Sequence, residues 1–141
     1  MFYKEINSKE ENVDNRKGFN LLFNALDEYV LVVDEKGTIL DANKPALLRL
    51  GYTSEEIYGM SLSHLCLSKS IDEIREIIKN ILEGRISKCK IQLCTKLRVQ
   101  ISIEACVFIG KWNEKIAIYA ICKEVSEASE INVPLKIVNY N

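Results

Sequence analysis

Residues 34–52, DEKGTILDANKPALLRLGY, carry Asp34, Glu35, Asp41 and Asn43 within nineteen positions, a density of carboxylate and amide groups that in an enzyme would serve as general acid or base. The remaining groups able to do chemistry are the single histidine, His64, then Tyr119, and five cysteines, Cys66, Cys89, Cys94, Cys106 and Cys122. No cysteine pair is spaced C-x-x-C, and an odd count favours reduced, buried thiols over a disulfide frame or a metal site. Lys88 and Lys90 bracket Cys89, an arrangement that would lower its thiol pKa if both ammonium groups faced it. An acid–base site would have to be drawn from His64, Asp41 and Tyr119, and their spacing brings no two of them together.

The elements that position these groups follow from composition and period. The chain has 141 residues, 48% hydrophobic and 28% charged, enough for one sizeable core, so one domain is expected. A net charge of −1 with interspersed signs offers no basic face to nucleic acid or to an anionic membrane surface. The apolar runs are too short to span a bilayer, and MFYKEINSKEENVDNRKG lacks an apolar signal core, so the segment reads as cytoplasmic. Residues 1–17 read as a flexible leader, and 128–141 as an exit linker or tail.

Phe19, Leu22, Phe23 and Leu26 recur at i, i+3, i+4 and i+7, predicting an amphipathic helix over 18–27. Tyr29 to Val33 is a strand apolar on both faces, turned at Glu35-Lys36-Gly37 into a second strand, Thr38 to Ala42. Asn43 fits a helix N-cap, with Pro45 in the first turn and Gly51 at the end. Thr53 and Glu56 form a capping box for another short helix stopped by Gly59. Ser70 and Glu73 open a longer one, with Ile71, Ile74, Ile77, Ile78, Ile81 and Leu82 on one face and Gly84 after it. The period then changes to two: Cys89, Ile91 and Leu93 alternate with polar residues, and Leu97 through Ile109 alternates as one long strand. Gly110 to Glu114 reads as turn, and Ile116 to Cys122 as the last strand. The expected fold is α+β: a five-stranded antiparallel sheet with short helices and one longer helix on one face, plus the N-terminal helix.

This order of elements, with Asp34 and Gly37, Ile39-Leu40 leading into Asn43, Gly51-Tyr52, and Thr53, Glu56 and Gly59, resembles the PAS (Per-Arnt-Sim) sensor domain family. The likeness spans 18–127 and reaches CKEVSE, where Glu124, Val125 and Ser126 stand in the place of the Asp-Ile-Thr found at the exit of such domains. On this reading the opening stretch does capping and turn work: Asp34 and Gly37 shape a turn, Asn43 caps a helix, and Gly51 and Gly59 stop helices. The resemblance implies a ligand pocket lined by Leu31, Val33, Leu40, Ala42, Ala46, Leu50, Ile74, Ile78, Ile101 and Ile118, the alternative being a plain packed core. It implies a homodimer face at Phe19, Leu22, Phe23 and Leu26, and signal exit through Glu124 to Ser126.

The family's cofactor motifs are missing from MSLSHLCLSKS and from the longest helix, which has no histidine, so flavin and haem are disfavoured and a small apolar ligand is the candidate occupant. Ala42 and Ala46 replace the Tyr and Glu that photoactive relatives use to hold a chromophore. The implied function is a non-catalytic sensing and dimerisation module regulating an effector such as a histidine kinase, a cyclic-nucleotide enzyme or a transcriptional activator in a longer parent chain. A ligand-free interaction adapter and a cone-shaped isomerase or dehydratase are the alternatives.

Overall fold

The β-branched and aromatic run YVLVVD folds as β1 (Tyr29–Asp34) and turns into β2 (Ile39–Ala42) at Gly37, whose φ of +90° costs a glycine little. Asp34 Oδ1 closes that turn by accepting hydrogen bonds from the Lys36 and Thr38 backbone N–H groups, at 2.9 and 2.8 Å. In the computed structural model, residues 23, 24 and 27–126 are described; the leader, the tail and most of the segment 18–27 lie outside them.

Helix α1 (Lys44–Leu50) begins at its Asn43 cap, with Pro45 in the first turn, and stops at Gly51. Helix α2 (Ser54–Ile57) opens on the Thr53–Glu56 capping box, and α4 (Ile71–Leu82) on the Ser70–Glu73 one. Between them α3 (Leu62–Leu65) makes a single turn capped by Ser61, which the hydrophobic pattern does not signal. Ile74, Ile78 and Ile81 of α4 are buried, while Ile71 at its start faces solvent.

Strands β3 (Lys88–Cys94), β4 (Gln100–Trp112) and β5 (Lys115–Glu124) complete a five-stranded sheet of order β2-β1-β5-β4-β3, with every pair antiparallel. The helices pack on its inner face, so the fold is the expected α+β arrangement.

Both ends of β4 differ from the pattern reading, and β5 runs two residues further, to Glu124. Leu97 and Val99 continue the alternation but lie in the β3–β4 turn, 85% and 52% exposed, with Arg98 at φ +71°. Here the Thr95 N–H donates to the Val99 carbonyl at 2.8 Å, closing the turn before the apolar residues can reach the core. At the other end β4 runs through Gly110 to Trp112 and reverses only at Asn113 and Glu114, whose φ values of +50° and +69° belong to a tight two-residue hairpin turn. Gly110 pairs with Ala117 inside the strand, and glycine is needed there because the Tyr119 ring lies over it: a Cβ would stand 3.0 Å from Tyr119 Cε1.

Candidate functional site: an apolar cavity beside the exit strand

Antiparallel pairing sets Ala105 of β4 opposite Cys122 of β5, and Ala120 of β5 opposite Val107 of β4. Two alanines among larger neighbours leave a hollow between sheet and helices. It is a cavity of about 60 Å³, walled by strand residues such as Leu31, Val33, Ile103 and Ile118 and by Leu62, Ile77, Ile78 and Ile81 from the helices. Every lining residue is aliphatic or a cysteine, so the cavity can hold apolar matter and offers almost nothing to orient a polar group.

Of the ten residues expected to line a pocket, Leu31, Val33, Ile78 and Ile118 do so. Ala42, Ala46, Leu50, Ile74 and Ile101 are buried in the same core without bordering the cavity. Leu40 is on the other face of the sheet, packed with Val30 and Val32. The cause is a bulge: Val32 pairs with Asp41 but Val33 with Ile39, so the extra residue Leu40 turns outward and Ile39 takes the inward position. The residues that make the hollow, Ala105 and Ala120, are missed by a search for large apolar side chains; their small size at inward positions is the signal that could have found them.

Cysteines border this region too. Cys89 and Cys122 line the cavity from β3 and β5, flanking Ala105 in one row across the sheet, and Cys66 lies fully buried at the end of α3. Burial pushes the Cys66 and Cys122 thiols up to about 12. Cys89 is raised as well: burial outweighs the neighbouring Lys69 charge, so the flanking lysines do not activate it. Alkylation of the native protein with iodoacetamide at pH 8 is therefore expected to leave Cys66 and Cys122 unmodified until denaturant is added, as read by peptide mass spectrometry. Rapid native labelling of either would contradict their burial.

The enzyme candidates do not meet. Asp41 and Tyr119 stand on either side of Val32 in one register row, His64 is exposed on α3, and none of the three lines the cavity. Burial raises the Asp41 carboxyl, although its Oδ1 accepts from the Ala42 N–H at 2.8 Å. Pockets that bury flavin- or haem-sized molecules run to about 300 Å³ or more; the cavity as packed holds about 60 Å³. Among the described residues no group of three or more His, Cys, Asp or Glu is placed to hold a metal ion.

The strand that walls the cavity with Ile118, Ala120 and Cys122 ends two residues later in a clamp. Glu124 accepts hydrogen bonds from Tyr29 Oη at 2.7 Å and from Arg49 Nε at 2.6 Å, with Arg49 Nη2 at 3.3 Å from the second oxygen. The Arg49 and Tyr29 hydrogen bonds hold the Glu124 carboxyl below its ordinary range. Val125 follows, its N–H donating to the Ser102 carbonyl at 2.9 Å, and Ser126 is the last described residue. One side chain thus ties the end of β5 to the start of β1 and to α1.

Asn43 is the other polar centre. It is fully buried; Oδ1 accepts from Val30 N at 2.9 Å and Ala46 N at 3.1 Å, while Nδ2 donates to the Phe23 and Glu28 carbonyls at 2.9 and 3.0 Å. On the outer sheet face Phe23 is buried against Val30, Val32 and Ala117. Phe19, Leu22 and Leu26 lie outside the described residues. Among the described residues no helix is long and apolar enough to cross a membrane.

A family model described as PAS fold matches residues 18–125. Solved structures share the architecture at low identity. The PAS domain of a Desulfitobacterium hafniense protein is 24% identical, with a TM-score of 0.69 over 72% of this chain and 96% of that one. A PAS domain from a two-component sensor histidine kinase is 14% identical, with a TM-score of 0.70 over 81% of this chain and 99% of that one. The LOV protein of Rhodobacter sphaeroides is 16% identical, with a TM-score of 0.65 over 82% of this chain and 70% of that one. No curated protein matches the sequence.

Proposed function

The chain belongs to the PAS family, and from that membership we propose that it is a sensing and dimerisation module that biases an effector, such as a histidine kinase, a cyclic-nucleotide enzyme or a transcriptional activator, in a longer parent chain. PAS domains are generally non-catalytic, and the separation of Asp41, Tyr119 and His64 from the cavity supports the same role here. The observation that carries the reading is the continuity of β5: it walls the cavity at Ile118, Ala120 and Cys122 and ends at the Glu124 clamp. Whatever changes the cavity strains the strand whose last residue leads out of the domain. The dimer is proposed through the outer sheet face with Phe19, Leu22 and Leu26, Phe23 being buried on its own sheet, and a sedimentation experiment showing only monomer at high concentration would count against it. Five free thiols suit a reducing compartment, and the proposed location is the cytoplasm.

The small volume of the cavity favours a second reading, an interaction adapter that senses nothing. Hydrogen exchange separates the two. Filling the hollow by Ala120→Val is expected to change exchange of the Val125 amide several-fold while exchange in β2 and α2 stays constant; an unchanged Val125 amide supports the adapter.

The clamp adds a pH signature. The folded Glu124 carboxyl lies below its ordinary value of 4.5, so its contribution is fully present above that pH and is lost as the pH falls through the lower, folded value. Protection of the Val125 amide should therefore decline on acidification below about pH 4.5. Glu124→Gln should flatten that decline, and an identical pH profile in this variant would remove the clamp from the coupling.

A further inference from the structure

The two edges of the sheet, β2 and β3, are finished differently. β2 is closed: the Ile39 N–H donates to the Met60 carbonyl and the Gly59 N–H to the Ile39 carbonyl, both at 2.8 Å, and Thr38 bridges to Ser61. β3 has no such cover. Two hydrogen bonds that bracket it fix the phase of its ladder: the Thr95 N–H to the Val99 carbonyl at 2.8 Å, and the Val107 N–H to the Ser87 carbonyl at 3.0 Å, both in the register that pairs Ile91 with Ile103. Antiparallel pairing alternates, so Cys89, Ile91 and Leu93 turn their N–H and C=O groups toward β4, while Lys88, Lys90 and Gln92 turn theirs outward. Among the described residues no backbone group from outside the sheet meets those outward ones. Cover returns only past Cys94, where the Lys96 N–H donates to the Leu50 carbonyl at 2.9 Å.

Beside the open stretch runs a cleft of about 410 Å³, bordered by three consecutive strand residues, Lys90, Ile91 and Gln92, and by Ser68 and Lys69 from the connection between α3 and α4. Consecutive side chains of a strand point to opposite faces, so a hollow that touches all three residues lies along the strand's edge. The edge is cationic on balance. Lys88 and Lys90 project to the outer face and Lys69 stands in the cleft wall; the carboxylate nearest in register is Glu104, across from Lys90 and with Lys123 on its other side. Among the described residues none of these charges is in an ion pair. Such an edge repels its own copy: antiparallel self-pairing centred anywhere from Lys88 to Ile91 sets lysine opposite or diagonal to lysine. It admits a strand of the opposite charge.

We propose that β3 accepts an extended acidic segment of a partner protein, which adds antiparallel to Lys88–Gln92 as a sixth strand. Its carboxylates lie on the outer face opposite Lys88 and Lys90, in the pairs whose backbone groups bond, and the residues between them turn toward Ile91 and Ser68 in the cleft. The open stretch is about 14 Å long at strand rise, room for pairs at Lys88, Lys90 and Gln92. The proposal is independent of whether the cavity holds a ligand.

The test is amide chemical-shift and hydrogen-exchange NMR of the 141-residue chain at pH 7 with a peptide of alternating glutamate and valine. The Lys88, Lys90 and Gln92 amides are expected to gain protection, whereas those of Cys89 and Ile91, already bonded to β4, change little. N-methylation of the peptide's glutamates should abolish binding, because those N–H groups face β3; N-methylation of its valines should leave it intact. Lysine in place of glutamate in the peptide should also abolish it, and the double variant Lys88→Gln, Lys90→Gln should weaken it about fivefold. Shifts without protection, or equal loss from both methylations, mean charge attraction alone and overturn the strand addition. Absence of any shift at these amides with millimolar peptide overturns it as well. So does protection of the three amides in the peptide-free chain: if lost on dilution, the edge belongs to a second copy, and if retained, to another segment of this chain.

Discussion

Replacing Asn43 with alanine is expected to lower the unfolding free energy by about 3–5 kcal/mol, because it strips partners from four buried or half-buried backbone groups at once. The side chain is fully buried and completely paired: two N–H groups donate to Oδ1, and both Nδ2 hydrogens reach carbonyls. Its backbone N–H also donates to the Val30 carbonyl at 3.0 Å, so the residue prolongs the β1–β2 ladder while capping α1. A lost helix cap alone costs about 1 kcal/mol, and each orphaned buried group adds roughly 1–3. Urea titration should show the loss as a lower midpoint with an unchanged slope. Asn43→Asp separates the two halves of the network, since it keeps the Oδ1 acceptor and its two bonds but loses both Nδ2 donors, and sets a carboxylate against the Phe23 and Glu28 carbonyls. It should be nearly as damaging. A loss under about 1 kcal/mol for the alanine variant would mean that Asn43 acts as an ordinary surface cap.

Ile118→Ala should cost about 3–5 kcal/mol, and it should also convert the cavity into a larger site. Ile118 is 1% exposed and sits in β5, which pairs with β1 on one side and β4 on the other, so the backbone cannot settle into the space left by the missing carbons. The new void adjoins the existing one of about 60 Å³, and the merged hollow approaches the size at which dry cavities hold benzene. Calorimetry should therefore give a lower Tm that benzene partly restores, whereas the parent protein shows no such recovery. Ile118→Val removes one carbon and should cost about 0.5–1.5 kcal/mol. If the alanine variant lost only that much, the helices would have to be collapsing onto the sheet, and the cavity would be a plastic region instead of a fixed wall.

The two variants report on different parts of the opening stretch and its surroundings. DEKGTILDANKPALLRLGY has the residue types of an active site, yet Asp34 is occupied by a turn and Asn43 by a cap, each consumed by backbone groups. The apolar cavity and the Glu124 clamp lie elsewhere, among small residues of β4 and β5 and at the exit of β5.

The capping boxes at Thr53–Glu56 and Ser70–Glu73, the Asn43 cap, the Gly37 turn and the inward stripe of α4 apart from Ile71 are legible in local letters. Each is a contact within a few residues, so the energy that decides it is written in adjacent letters. The family likeness was legible for the same reason, because it is carried by those turns and caps. Position in the sheet was decided by tertiary structure alone. The bulge that sends Leu40 outward, the exclusion of Leu97 and Val99 from β4, and the passage of the strand through Gly110 depend on which partner residues are hydrogen-bonded across the ladder, and neither strand encodes that separately. The cavity arises where Ala105 and Ala120 come near each other, and the clamp joins Glu124 to residues 75 and 95 positions away. At such separations chain entropy, not local preference, opposes contact, and only the collapsed core with its pairing register overcomes it.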